Sequence, residues 1–400
     1  MTAPNSDSIV YCRCAYSDRV PAEVKDAVLA ALAASDRPFE AVADLCELAA
    51  GRDPALASWA RGGGPRIVAC RPRAVKWLFH AGGAELADEN TRVLDMKARP
   101  AEEIVGALPA SSQTPADCGA PADGTLKVVL YEGPGSRAMA PSRRRELLVE
   151  LLDAGYRVAR TGSAGAFAWD TAAAVVVGDF DGEATPAGLR DDARVVCLDV
   201  TGKCACGAHQ AIDAARESLG LPAPGGWVPW FPVLDYDRCI GCKQCANFCL
   251  FGVFEVDDEG KPLVADPPKC KTDCPACARM CPQVAIIFPK YPGAPIDGSE
   301  VNEADVRAER AGTDLKKALR GDVYNVLRRR SGRGKLPAHP TPADLAKAAE
   351  ELQIPAGVLK SLNVTGSEAA GADGCACQDE APCCGGESGG GGETERDVRE

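Results

Sequence analysis

Cys239, Cys242, Cys245 and Cys249 stand in one short run, and Cys270, Cys274, Cys277 and Cys281 stand in a second that ends on Pro282. Two compact four-cysteine runs constrain a chain severely, because thiolates gathered so closely call for metal. Two cubane iron–sulfur clusters fit them: each iron takes one thiolate, and one tight loop can supply three. Structural zinc also uses close-spaced thiolates, and disulfides are the remaining alternative, but eight cysteines at these spacings with a Pro-terminated run favour clusters.

Between the runs, Gly252 to Val256, Asp257 to Gly260 and Pro262 to Val264 read as strand, acidic turn and strand. With Phe231 to Leu234 before the first run and Val284 to Phe288 after the second, residues 230–292 resemble the bacterial two-[4Fe–4S] ferredoxin domain. The resemblance implies that the fourth cysteine of each run crosses to the other cluster. Cys239, Cys242, Cys245 and Cys281 would then hold cluster 1, and Cys270, Cys274, Cys277 and Cys249 cluster 2. The chain departs from that pattern twice: Leu250 stands where the family places proline, and three residues rather than two separate Cys270 from Cys274.

Twenty cysteines would suit a secreted scaffold only in a short chain with a signal peptide. Met1 to Ser8 has neither a basic nor an apolar signal region, and no apolar run is long enough to span a bilayer. A cytoplasmic location with ligating or reduced thiols is expected. The net charge of −12 argues against nucleic acid as a partner and suits a redox protein partner.

At 400 residues more than one core is expected. The fold class read from the chain is α/β plus α+β, multidomain. An α/β domain over 1–107, a linker over 108–124 and a second α/β domain over 125–221, Rossmann-like or flavodoxin-like, come first. A linker over 222–232, the ferredoxin-like domain over 233–292, a helical extension over 293–365 and a disordered Cys-, Gly- and Glu-rich tail over 366–400 follow. Trp227 and Trp230 are expected to pin the second linker against the ferredoxin module. Val301 to Lys335 holds ten Lys/Arg against five Asp/Glu, a basic stretch able to steer an acidic partner. Cys375, Cys377, Cys383 and Cys384 in the tail are assigned no cluster.

In the first domain, short strands at Ser8 to Tyr11, Phe39 to Leu45 and Arg66 to Ala69 end near Cys12, Cys46 and Cys70. The carboxyl ends of parallel strands share one edge of an α/β sheet, so Cys12, Cys14, Cys46 and Cys70 can converge on a third [4Fe–4S] cluster. The Cys-x-Cys opening and the Cys-x-Pro-Arg step at Cys70 resemble the N-terminal domain of the heterodisulfide reductase protein HdrA over about the first hundred residues. Arg71 and Arg73 would then donate hydrogen bonds to cluster sulfur. The bland alternative is ordinary buried thiols.

The turn from Gly133 to Ala138 matches a dinucleotide loop only superficially, because Pro134 and Pro141 delay the helix that should meet a pyrophosphate. Cys204 and Cys206, with His209, stand at the mouth of a helix over Gln210 to Leu219; they are a metal site, a redox-active pair or plain surface thiols. No paired carboxylates or catalytic triad can be assembled from the scattered His80, His209 and His339. The expected function is iron–sulfur electron transfer to a partner oxidoreductase. A component of a flavin- or nucleotide-dependent oxidoreductase, and a thiol or metal sensor, are the alternatives.

Overall fold

A computed structural model describes residues 9–61, 65–86, 92–108, 126–162, 173–181 and 194–307. The tail cysteines, nearly all of the first linker and most of the basic stretch and helical extension lie outside them. All described residues fall in one unit, spanning Met1–Arg310 with Ala381–Glu400.

The α/β part carries eight strands. β1 (Ile9–Cys12), β2 (Phe39–Val42), β3 (Arg66–Ala69) and β4 (Arg92–Asp95) come from the first hundred residues; β5 (Leu126–Tyr131), β6 (Arg157–Thr161), β7 (Ala173–Gly178) and β8 (Val195–Asp199) follow. β1, β2, β5, β6 and β7 are buried along nearly their whole length, as parallel strands covered on both faces must be. Helices α1 (Ala22–Ala34), α2 (Leu45–Ala50), α3 (Pro54–Arg61), α4 (Pro72–Ala81), α5 (Ala101–Gly106), α6 (Pro141–Asp153) and α7 (Ala205–Ser218) cover it. The sheet order is β4-β3-β1-β2-β6-β5-β7-β8. Two α/β domains standing apart were expected, but both four-strand sets belong to one sheet.

Every neighbouring pair runs parallel except β2 with β6, where Phe39 pairs Arg160 and Ala41 pairs Val158 in antiparallel register. This single reversal has a large consequence. The carboxyl ends of β1 to β4 face one edge and those of β5 to β8 face the opposite edge.

Charge is buried on this seam. Glu40 of β2, 1% exposed, accepts from Arg157 Nη2 of β6 at 2.9 Å and lies 3.5 Å from Lys127 Nζ of β5. Arg157 also lies over the Trp59 ring at 5.1 Å. A second knot forms where Arg160 Nε and Arg144 Nη2 both donate to Glu132, at 2.6 and 2.7 Å. These carboxylates are dry, so each depends on its cations.

The ferredoxin-like part has its own smaller core. β9 (Val233–Leu234) pairs antiparallel with β12 (Ile286–Ile287), and β10 (Phe254–Val256) pairs antiparallel with β11 (Pro262–Val264) across the acidic turn. Short helices α8 (Gln244–Phe248) and α9 (Ala276–Met280) carry Cys245 and Cys277, the third cysteine of each run. Trp230 stacks on Phe288 in this core, with ring centroids 5.2 Å apart. Trp227 instead packs against the larger α/β core, so the two tryptophans hold the linker from both sides.

This domain seats on the edge where β1 to β4 end. Arg73 Nε donates to Asp235 at 2.6 Å and its Nη2 to the Val284 carbonyl at 2.6 Å. Lys97 Nζ meets Asp297 at 2.8 Å, and Arg71 spans Asp95 and Asp297. At Gly298, in the left-handed region, any Cβ would lie 2.6 Å from the Ala74 Cβ, so α4 and the ferredoxin segment approach as closely as backbone allows.

Removing Glu40 takes a buried carboxylate away from two buried cations, although Arg157 keeps Asp53 at 3.7 Å. Glu40→Ala should therefore lower the unfolding free energy by about 3–5 kcal/mol, read as a fall in the denaturant midpoint. Glu259→Ala, which removes an exposed partner of Lys261, should leave that midpoint in place.

Candidate metal centres

The backbone prepares both loops of the ferredoxin domain. Gly241 and Lys243, on either side of Cys242, are left-handed, which winds the loop tightly enough to bring Cys239, Cys242 and Cys245 to one side. In the second loop the extra residue before Cys274 is taken up by a turn: the Cys274 amide donates to the Lys271 carbonyl at 3.2 Å, with Asp273 left-handed between them. The lengthened gap therefore costs one turn and keeps Cys274 in the loop.

The thiols of the two runs act on one another across the domain. After burial, which pushes Cys245 up to about 12, the charges that bear on it include Cys281, Cys239 and Cys242. Cys281 is raised by burial and in turn feels Cys242 and Cys239. Cys270, pushed by burial up to about 12, feels Cys274 and Cys249. Cys277, raised further by burial, feels Cys270, Cys245 and Cys249. A cavity of about 450 Å³ is lined by Cys249, Cys270, Cys274 and Cys277 together, three thiols of the second run and the last thiol of the first. Backbone amides point at sulfur: Ala285 N–H donates to Cys281 at 3.3 Å. Apart from Cys242, which is exposed, these thiols are buried or half-buried, and with amide donors beside them they fit cubane clusters.

At the β1 to β3 edge the structure brings Cys12, Cys14, Cys46 and Cys70 together. Cys12 ends β1, Cys46 sits in the first turn of α2 just past β2, and Cys70 follows β3. β1 lies between β2 and β3, so its end is the switch point of this half-sheet, the usual ligand crevice. Cys14 is a left-handed non-glycine residue with φ 49°, a strained conformation that turns it at the strand end. Burial raises all four thiols, Cys14 to about 12 and Cys70 to about 11, and each of Cys12, Cys14 and Cys46 also feels the charge of Cys70. The Leu45 amide donates to Cys12 Sγ at 3.3 Å.

Arg71 and Arg73 were expected to donate to cluster sulfur there; the Arg71 backbone hydrogen-bonds Cys70, while both guanidinium groups are turned to Asp95, Asp235, Asp297 and the Val284 carbonyl. The reason is that Asp235 and Asp297 of the docked ferredoxin domain, with Asp95 of β4, reach these guanidinium groups first. Two residues of this site were missed by sequence reasoning. Asp44 caps α2 by accepting from the Cys46 amide at 2.9 Å, and Lys290 meets Asp44 at 2.7 Å. The Asp-Leu-Cys step offered a cap signal for the first. Nothing local marks the second.

The remaining cysteines are elsewhere. Cys204 caps α7 through its sulfur, which accepts from the Gly207 amide, and its Sγ lies 2.9 Å from that of Cys206. The helix begins five residues before the expected start at Gln210. His209 turns to Glu150 at 2.9 Å and Asp213 at 3.4 Å, so it does not join the two thiols. Because β8 runs opposite to β1, this pair follows the carboxyl edge opposite to the one bearing Cys12 and Cys70. Among the described residues there is no disulfide, and no three His, Cys, Asp or Glu side chains are close enough to share one metal ion. A four-iron cube makes no such demand, since each thiolate binds its own iron.

Comparison with known proteins agrees with the ferredoxin domain. The model of the 4Fe-4S dicluster domain matches residues 231–310. An uncharacterised ferredoxin of Methanocaldococcus jannaschii is 43% identical over 63 residues, 16% of this chain and 42% of that protein, so the chain spans less than half of that relative's length. The pyruvate synthase subunit PorD of the same organism is 36% identical over 62 residues, 16% of this chain and 70% of PorD. A ferredoxin of Thermococcus litoralis is 45% identical over 56 residues, 13% of this chain and 88% of that ferredoxin. No solved structure matches significantly. With the family model matched and a relative covered almost end to end, the chain belongs, through residues 231–310, to the two-[4Fe–4S] ferredoxin family.

Proposed function

We propose that this protein is an iron–sulfur electron carrier that serves a partner oxidoreductase through three [4Fe–4S] clusters: the ferredoxin pair, and a third held by Cys12, Cys14, Cys46 and Cys70. The observation that carries the third cluster is the gathering of four thiols, three buried and Cys70 half-buried, at the ends of three adjacent parallel strands beneath the seat of the ferredoxin domain. The Cys-x-Cys opening and the Cys-x-Pro-Arg step, which resemble the heterodisulfide reductase protein HdrA, point the same way.

When bound, a [4Fe–4S] cluster takes up and releases one electron with little rearrangement. The protein's own contribution is to hold the thiols, exclude water and direct amides at sulfur, as Leu45 does for Cys12 and Ala285 for Cys281. These donors favour the more negative, reduced form. Ile240 and Leu250, each next to a ligand, are 64% and 81% exposed; large apolar side chains left in water beside a redox centre suit a landing place for a partner. The names of two relatives, one from pyruvate synthase and one from a sulfite dehydrogenase, indicate an oxidoreductase as that partner. Among the described residues no helix is long and apolar enough to cross a membrane, which agrees with the proposed cytoplasmic location.

Anaerobic reconstitution of the full chain should give about twelve irons per molecule. Cys46→Ser should lower this to about eight, whereas a wild-type content of about eight that Cys46→Ser does not change would remove the third cluster. In the ferredoxin pair, Cys281→Ser should abolish the signals of the cluster bound by Cys239, Cys242 and Cys245, and Cys249→Ser those of the other. Loss of the cluster nearer in sequence in each case would contradict the crossed ligation.

A further inference from the structure

The candidate N-terminal site is closed by a residue of the ferredoxin domain. Lys290, three residues beyond β12, is 6% exposed and sends Nζ to Asp44 Oδ2 at 2.7 Å. Asp44 is 1% exposed and fixed by capping α2 at Cys46. Cys46, Trp230, Phe288 and Lys290 line one narrow cleft. The ammonium therefore reaches the sulfur cage from the docked domain, while the carboxylate reaches it from the sheet. Their charges act on the sulfur cage in opposite senses: an ammonium favours negative charge there and a carboxylate disfavours it.

Other charges also face this site. Lys25 Nζ donates to the Cys14 carbonyl at 3.4 Å, and Lys97 and Asp95 act on Cys70. All three belong to the α/β part; Lys290 is supplied by the other domain. Four thiolates make a cluster anionic, and reduction adds a further negative charge in a dry place, where Coulomb interactions are strong.

Resting on the third cluster proposed above, we infer that Lys290 and Asp44 are positioning residues that set its reduction potential in opposite directions. The ammonium favours the reduced state and the carboxylate the oxidised state, so the potential of the N-terminal centre depends on the seated ferredoxin domain.

The test uses the full chain, reconstituted anaerobically, as wild type, Lys290→Gln and Asp44→Asn. Iron content is measured with an EPR-monitored redox titration, and the third midpoint is identified as the one lost in Cys46→Ser. Lys290→Gln should disfavour reduction of that centre at least tenfold, a fall of about 59 mV for one electron. Asp44→Asn, which can still cap the helix, should raise the same midpoint. The ferredoxin midpoints should stay in place. A general loosening of the fold would not move one midpoint in opposite directions. If Lys290→Gln loses iron, Asp44→Asn decides alone: a rise supports the inference and no change overturns it. About twelve irons with an unmoved third midpoint, or both variants shifting it the same way, would overturn the roles of Lys290 and Asp44 while leaving the cluster. About eight irons in the wild type would overturn the cluster and the inference with it.

Discussion

The antiparallel meeting of β2 and β6, with Glu40 held between Arg157 and Lys127, is the contact on which the rest of the molecule depends. Had these strands met in parallel, the ends of all eight strands would crowd one edge. Because they oppose, the first half-sheet has an edge to itself, and Cys12, Cys14, Cys46 and Cys70 are delivered to it without competition from the loops after β5 to β8. Buried ion pairs add little net stability compared with apolar packing, but they penalise any arrangement that leaves one member unpaired. On a seam between two half-sheets, that penalty acts on strand direction and register.

The ferredoxin domain completes this edge. Its carboxylates Asp235 and Asp297 accept Arg73, Arg71 and Lys97, and its Lys290 goes the other way, to Asp44. Ion pairs crossing in both directions make the seat charge-specific rather than merely apolar. They also use up the arginines that follow β3, leaving the sulfurs of the N-terminal site to backbone amides and to Lys290. Dry thiols, amides directed at sulfur and a few buried charges are the features by which a protein tunes an iron–sulfur centre.

Much of this was legible in the sequence. The cysteine spacings pointed to the ferredoxin domain because those loops are local: Gly241, Cys242 and Lys243 determine one another. The strands ending at Cys12 and Cys70 were equally plain, since short apolar runs followed by helices define strand ends. The order of the sheet was not legible. Nothing in Phe39 to Val42 or Arg157 to Thr161 says that these strands pair, and a linker between them read as a domain boundary. Partners distant in sequence were likewise hidden. Arg73 could be seen beside Cys70, but Asp235 lies far along the chain, and only folding shows that it takes the guanidinium before any sulfur can. Nothing in the sequence around Lys290 marks Asp44 as its partner.

Whether the N-terminal centre and the ferredoxin pair form one electron path can be read from magnetic coupling in the fully reduced protein. The proposed third cluster would sit at the sheet edge on which the ferredoxin domain is docked, so the EPR spectrum should show broadening or splitting that disappears when that cluster is removed by Cys46→Ser. A spectrum equal to the sum of independent centres, or one that Cys46→Ser leaves unchanged, would contradict it.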